Sequence, residues 1–269
     1  MKLKYTTKLF IVVNLITVTF RTLQILFLTQ GENAFLIDGF WVKTIDIAGT
    51  VLIALSLFAL FSNSSQAVRQ PEKINCKGIP SMIAAIGSGV MLLITGVVSY
   101  MTPDMMGRKM LLVLSVLVAI ASVVIGVSAI TKKPFPKGWA LPFIGYWLVE
   151  LVLSYMYYTE HPLRVRTVYE VLSLVAIILF FVTFGKAVSG VKSEKSFRRI
   201  YPLGLTATSL CILSVVPELL AKLFGAGDKT SLSAVMPLSL VSAAIFIGFF
   251  TINTFKKSNT IHPKKKKRM

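Results

Sequence analysis

The chain has 269 residues, of which 55% are hydrophobic and only 15% charged, with a formal net charge of +18. A soluble domain of that length cannot cover so much apolar surface, so a globular enzyme or binding domain in water is excluded, and the basic excess points to a membrane and not to nucleic acid. Two cysteines, Cys76 and Cys211, and two histidines, His161 and His262, stand far apart and give neither a disulfide framework nor a metal-ligand spacing.

A hydrocarbon layer about 30 Å thick needs about 20 apolar residues of helix to cross it. Eight such runs follow one another at roughly 9–29, 42–62, 80–101, 110–131, 140–158, 168–186, 201–223 and 232–255. The gaps are too short for a soluble domain. The sequence therefore predicts an all-α polytopic membrane protein, one integral domain over 1–269 ending in a basic tail at 258–269.

Span one is too long for a signal-peptide core, and no small-x-small cleavage site follows it. Within it Asn14, Thr17, Arg21 and Gln24 are spaced 3, 4 and 3, which puts them in one stripe along a helix. Span two carries Asp46 and Thr50 one turn apart and ends in the sequon Asn63-Ser64-Ser65. Span three offers Ala85, Gly89 and Gly96, small residues that permit close helix contact. Span five repeats the polar stripe with Tyr146, Glu150 and Ser154 at steps of 4. Tyr100, Tyr146, Tyr155, Tyr157 and Tyr158 read mostly as an interfacial aromatic belt, of which Tyr146 lies deepest. Glu170 opens span six. Span seven places Ser214, Glu218 and Lys222 at steps of 4, with Pro217 beside the glutamate, where it frees a carbonyl one turn back and predicts a kink.

The basic residues fix the orientation. With the N-terminus in the cytoplasm and the spans alternating, the cytoplasmic segments hold 21 of the 29 lysines and arginines against only Glu72 and Glu194. All remaining residues sum to −1. Positive charge on the inside in all five cytoplasmic segments predicts eight spans with both termini inside, and the expected setting is a bacterial plasma membrane. The sequon then faces the cytoplasm and escapes glycosylation. The tail HPKKKKRM adds attraction to anionic headgroups, about 1 kcal/mol per basic residue near the surface.

The stretches at 51–68 and 171–188 both begin Val-Leu and end Ala-Val, and each leads through a basic loop to a proline that opens the next helix, Pro80 or Pro202. Spans four and eight both end in a double lysine. This suggests half-repeats over 1–137 and 138–257, related by an axis along the membrane normal, against a background of chance likeness between apolar segments.

Arg21, Asp46, Glu150, Glu170 and Glu218 all fall in the outer half of their spans in this topology. A charge facing lipid at mid-helix costs at least about 2.5–3.5 kcal/mol on insertion scales, so such residues turn inward. A polar cavity or an ion-pair cluster opening outward follows, with Arg21 countered by Glu150 or Glu218. Asp46 and Glu170 lie close enough to the headgroups for interfacial solvation to suffice. Arg21, Gln24, Asp46, Tyr146, Glu150 and Glu218 are the candidate ligand-binding residues. The expected ligand is a cationic or zwitterionic solute or a lipid headgroup.

No HExxH, GxSxG, Walker A, Rossmann glycine pattern or EF-hand loop occurs, so neither cofactor nor metal is expected, and no nucleic acid. Three functions remain. The first is transport or solute binding through the outer polar layer. The second is a non-catalytic assembly, immunity or sensor protein that docks a membrane partner on its basic face. The third is an intramembrane lipid-modifying enzyme using Glu150 or Glu218 as acid or base.

Overall fold

Hydrocarbon offers no hydrogen bonds, so a crossing backbone must pair its own polar groups, which the α-helix does along its whole length. The computed structural model describes residues 3–30, 35–36, 39–67, 79–101, 108–131, 138–160, 165–189, 193–225 and 235–258. Each predicted span falls on one helix: α1 Leu3–Leu23, α2 Phe40–Ala67, α3 Ile79–Met101, α4 Arg108–Thr131, α5 Leu141–Glu160, α6 Val165–Val188, α7 Ser193–Leu223 and α8 Val235–Ser258. Six of the eight are long and apolar enough to cross a membrane. On α5 and α8 the apolar stretches are shorter, Leu141–Met156 and Leu238–Asn253.

Hydroxyl side chains inside the helices return their protons to carbonyls three or four residues back, as Thr17 does to Val13, Ser115 to Leu112 and Ser173 to Tyr169. A buried hydroxyl is thereby satisfied without a second helix. After α1 the chain widens into one π turn, Gln24–Leu28, and a two-residue antiparallel ladder pairs Thr29 with Leu36 and Gln30 with Phe35. Among the described residues this small ladder is the one departure from the all-helical expectation. Gly225, at φ +82°, ends α7, with its N–H bonded to the carbonyl of Lys222.

Helix α7 is the hub. It packs on α1, α2, α6 and α8, and 67% of its apolar window is buried, against 22% for the peripheral α2. It runs unbroken through Pro202 and Pro217. Pro202, expected to open the helix, lies in its interior because the basic segment from Ser193 is already helical. Pro80, by contrast, is the second residue of α3, where a missing N–H costs nothing.

Helices α3 and α4 form the tightest pair. A Cβ at Gly89 would come 2.5 Å from Cβ of Ser122, and one at Gly96 would collide with the Ser115 side chain. The predicted small-residue face of α3 therefore meets a serine face of α4.

The core divides by height. Where α5 begins and α6 and α8 end, Phe143, Phe180, Phe181, Phe184, Phe246 and Phe250 are packed together and buried. Phe143 stacks on Phe181 with ring centroids 4.7 Å apart, and Phe246 stacks on both. The opposite end of the bundle, where α1, α5 and α7 finish and α2, α6 and α8 begin, holds the acidic side chains described next. The basic tail, the inter-helix basic loops, Cys76, His161, His262 and the side chains of Tyr157 and Tyr158 lie outside the described residues.

Candidate functional site

Four hydrogen-bonded or stacked pairs set the register of the helices around the acidic end. Asn14 Nδ2 donates to Ser209 Oγ at 3.0 Å, which ties α1 to α7. Seven residues further along both helices, Arg21 comes level with Val216, about 3 Å along the axis from Glu218. The hydroxyls of Ser173 and Ser214 lie 2.7 Å apart and tie α6 to α7. One turn beyond that contact stand Glu170 on α6 and Glu218 on α7. The Phe143–Phe181 stack sets α5 against α6, so that Glu150 falls level with Leu174, about 6 Å along the axis from Glu170.

The fourth pair joins α1 to α2. Arg21 Nη1 donates to Gln24 Oε1 at 3.3 Å, and Gln24 Nε2 donates to Asp46 Oδ1 at 3.2 Å and to the Asp46 carbonyl at 3.3 Å. Gly49 allows this approach: a Cβ there would lie 2.7 Å from Gln24 Nε2 and 3.2 Å from the ring of Phe20. The π turn begins at Gln24 and buries it together with Ile25. Wider winding at this point changes which face of the chain meets α2, a device common at functional positions.

Arg21, Asp46, Glu150, Glu170 and Glu218 are between 3% and 8% exposed. Asp46 and Glu170 are thus enclosed by protein, and interfacial solvation does not account for them. Asp46 meets Gln24 after α1 and Glu170 lies within electrostatic reach of Glu150 on α5, and helix neighbours exclude solvent even near a helix end. Thr17 and Gln24 are buried as well, so the predicted polar stripe of α1 faces its neighbours and not lipid.

The structure distributes the candidate residues over two adjoining groups. Arg21, Gln24 and Asp46 form the first, with the Asp46 carboxylate within electrostatic reach of the guanidinium. The Arg21 Cζ lies 5.0 Å from the centroid of the Tyr169 ring, a cation–π contact worth about 0.5–2 kcal/mol. Tyr169 in turn packs with Ile53 of α2 and Leu213 of α7. Glu150, Tyr146 and Glu170 form the second group. The Tyr146 hydroxyl donates to Glu150, and Glu170 lies within electrostatic reach of it. Trp147 packs edge-on against Tyr146 at 5.2 Å. Glu218, 5% exposed, stands on α7 one turn beyond the Ser173–Ser214 contact.

Tyr169 and Trp147 were not legible as site residues. Each is an aromatic beside or one turn from an acid, yet in an apolar helix an aromatic reads first as packing or as belt. Tyr100 and Tyr155 do lie exposed on the bundle surface, as a belt requires, whereas Tyr146 is buried. Among the described residues no group of three or more His, Cys, Asp or Glu side chains is arranged to hold a metal ion. No protein-family profile, curated protein or solved structure matches the chain.

Proposed function

We propose that this is an eight-span membrane protein with both termini in the cytoplasm, whose outer polar layer binds a cationic or zwitterionic solute or a lipid headgroup for transport. The observation that carries the reading is that, among the described residues, four carboxylates and a single guanidinium are buried at one end of the bundle. Buried charge inside a membrane is costly and marks ligand or ion sites more often than scaffolding. The positive-inside distribution puts that end outside and the phenylalanine cluster toward the cytoplasm. A bacterial plasma membrane fits the same charge map.

A ligand arriving from outside meets polar side chains first and a closed apolar packing beyond them. That order suits a transporter resting with its inner side shut. A four-plus-four origin draws on the sequence likeness and on paired packing, since α1 with α2 and α3 with α4 recur as α5 with α6 and α7 with α8. Across the halves, however, α7 packs on α1 and α2 while the main neighbours of α3 are α4 and α8.

A second reading, a non-catalytic assembly or sensor protein, is favoured by one observation: Arg21 is already engaged by Gln24, Asp46 and Tyr169 within its own chain. The two readings part in one experiment. Uptake and ligand-dependent thermal shift are measured for Glu150→Gln and Glu218→Gln beside the wild type. Loss of either response in both variants supports binding. Wild-type behaviour in both removes the carboxylates from the mechanism and leaves the assembly reading.

A further inference from the structure

At the end of the bundle that holds the phenylalanine cluster, two basic side chains come together on the outside of α6 and α7. The Ser173–Ser214 contact, and the Phe180 ring lying against Gly204, set these helices antiparallel. Steps of seven residues keep to one face of a helix to within about 20°. Counted from Ser173 through Phe180 they reach Ala187, and counted back from Ser214 through Ala207 they reach Ile200, all of them buried. Lys186 and Arg199 each stand one residue before that last pair. On antiparallel neighbours the same step of about 100° turns both toward one side, about 3 Å apart along the axis. Both are exposed.

The neighbouring helices leave this flank open. Helix α5 meets the opposite flank of α6 through Phe181 and Gly185, and α8 meets the opposite flank of α7 through Gly204 and Thr208. Among the described residues no acidic side chain reaches the two cations, because Asp46, Glu150, Glu170 and Glu218 all lie at the other end. From Lys186 the same face of α6 continues through Leu179, Val175, Leu172 and Val168, all apolar and exposed. On α7 it continues from Arg199 through Leu203 and Thr206, both half-buried, and Thr206 returns its proton to the Pro202 carbonyl. A pair of cations thus heads an apolar seam along the two helices.

We propose that this seam seats an anionic phospholipid of the adjoining leaflet, with its phosphate between Lys186 and Arg199 and an acyl chain along the exposed face of α6. An ammonium and a guanidinium carry donors only, and a phosphate diester offers acceptors and one negative charge. A zwitterionic headgroup brings its own cation to the same place and gains less. An acidic protein segment meets the charges but leaves the apolar stripe, which lies at the depth of hydrocarbon, to other lipids. Basic positions between membrane helices on the positive side are where anionic headgroups are held. The proposal goes beyond the transport reading and does not involve the outer polar layer. It requires only that α6 and α7 cross a membrane, and it ties one lipid to the hub helix.

The test follows the denaturation temperature of the full chain in mild detergent as phosphatidylglycerol is titrated, with phosphatidylcholine as the zwitterionic comparison. The wild type should show a saturable rise with phosphatidylglycerol and little change with phosphatidylcholine. Lys186→Gln with Arg199→Gln, at exposed positions where substitution rarely disturbs folding, should need about 10-fold more phosphatidylglycerol for half the rise. Should that pair fail to fold, each single variant should show a shift of about 3-fold. Lys186→Arg with Arg199→Lys keeps both charges and should stay close to the wild type. So should Lys8→Gln with Lys109→Gln, which removes two exposed charges elsewhere. If that control weakens the response as much as the α6–α7 pair does, the attraction belongs to the whole charged surface and the proposal falls. Equal responses to the two lipids overturn it as well. Stabilisation by polyglutamate but not by phosphatidylglycerol overturns it in favour of an acidic protein partner. Each of these results leaves the uptake comparison at Glu150 and Glu218 to judge the transport reading by itself.

Discussion

The guanidinium of Arg21 lies over the ring of Tyr169, Cζ 5.0 Å from its centroid, and the same group donates from Nη1 to Gln24. One charge on α1 is thus held by α6 on its face and, through Gln24, by Asp46 on α2. Removing a buried charge while leaving its acidic neighbour costs about 3–5 kcal/mol. Arg21→Ala should therefore lower the denaturation temperature in detergent strongly. Arg21→Lys should fall between it and the wild type, because an ammonium does not reproduce a planar stack. Tyr169→Phe keeps the ring and should cost less than Tyr169→Leu. An Arg21→Ala protein as stable as the wild type would contradict this account.

Gly49 and Gln24 make a second test. The missing Cβ of Gly49 leaves the space that the Gln24 amide uses to reach Asp46. Gly49→Ala places a methyl 2.7 Å from Nε2, so the amide must move and the contact with Asp46 lengthens. Overpacking of this kind costs about 1–3 kcal/mol. Combined with Gln24→Ala, the same substitution should cost much less, since the clashing group is gone. Thermal denaturation of the two single variants and the double measures the coupling, and simple additivity would mean that Gly49 serves another purpose.

The α3–α4 contact gives a third prediction, independent of the acidic end. A methyl at Gly96 runs into the Ser115 side chain, whose hydroxyl also bonds the Leu112 carbonyl. Gly96→Ala should destabilise the bundle by about 1–3 kcal/mol. Ser115→Gly in the same chain should recover most of that loss. If Gly96→Ala is neutral, the two helices are not clamped at this point.

All eight helices were legible because length and hydropathy answer to the bilayer alone, and spacing of 3 and 4 was enough to turn Arg21, Gln24, Glu150 and Glu218 inward. What spacing within a helix does not contain is which helix lies alongside. Asp46 on the neighbouring α2, which Gln24 links to Arg21, is an acid that spacing along α1 could not reveal. Tyr169 was invisible for the same reason: its role depends on α1 passing over it. Pro202 misled because a proline opens many helices, while here the basic residues before it continue the helix inward.

The phenylalanine cluster supplies the last prediction. Phe180 lies against α7, where a Cβ at Gly204 would meet its ring at 3.2 Å, and Cys211 of α7 is buried in the same core cluster. Phe180→Ala removes a fully buried ring that meets Phe181, Phe184 and Phe250, a change costing about 3–5 kcal/mol when the surroundings relax only in part. With Cys76 replaced by serine, Cys211 becomes a reporter of access. Its reaction with a membrane-permeant maleimide should be slow in the otherwise wild-type protein and clearly faster in Phe180→Ala. The labelling must be run well below the variant's own denaturation temperature, so that global unfolding does not expose the thiol. Faster labelling under those conditions means that the aromatic packing is what seals this end of the bundle. Equal rates would mean that the backbone of α6 and α7 closes it without the rings, and a path past the cluster would then need more than side-chain movement.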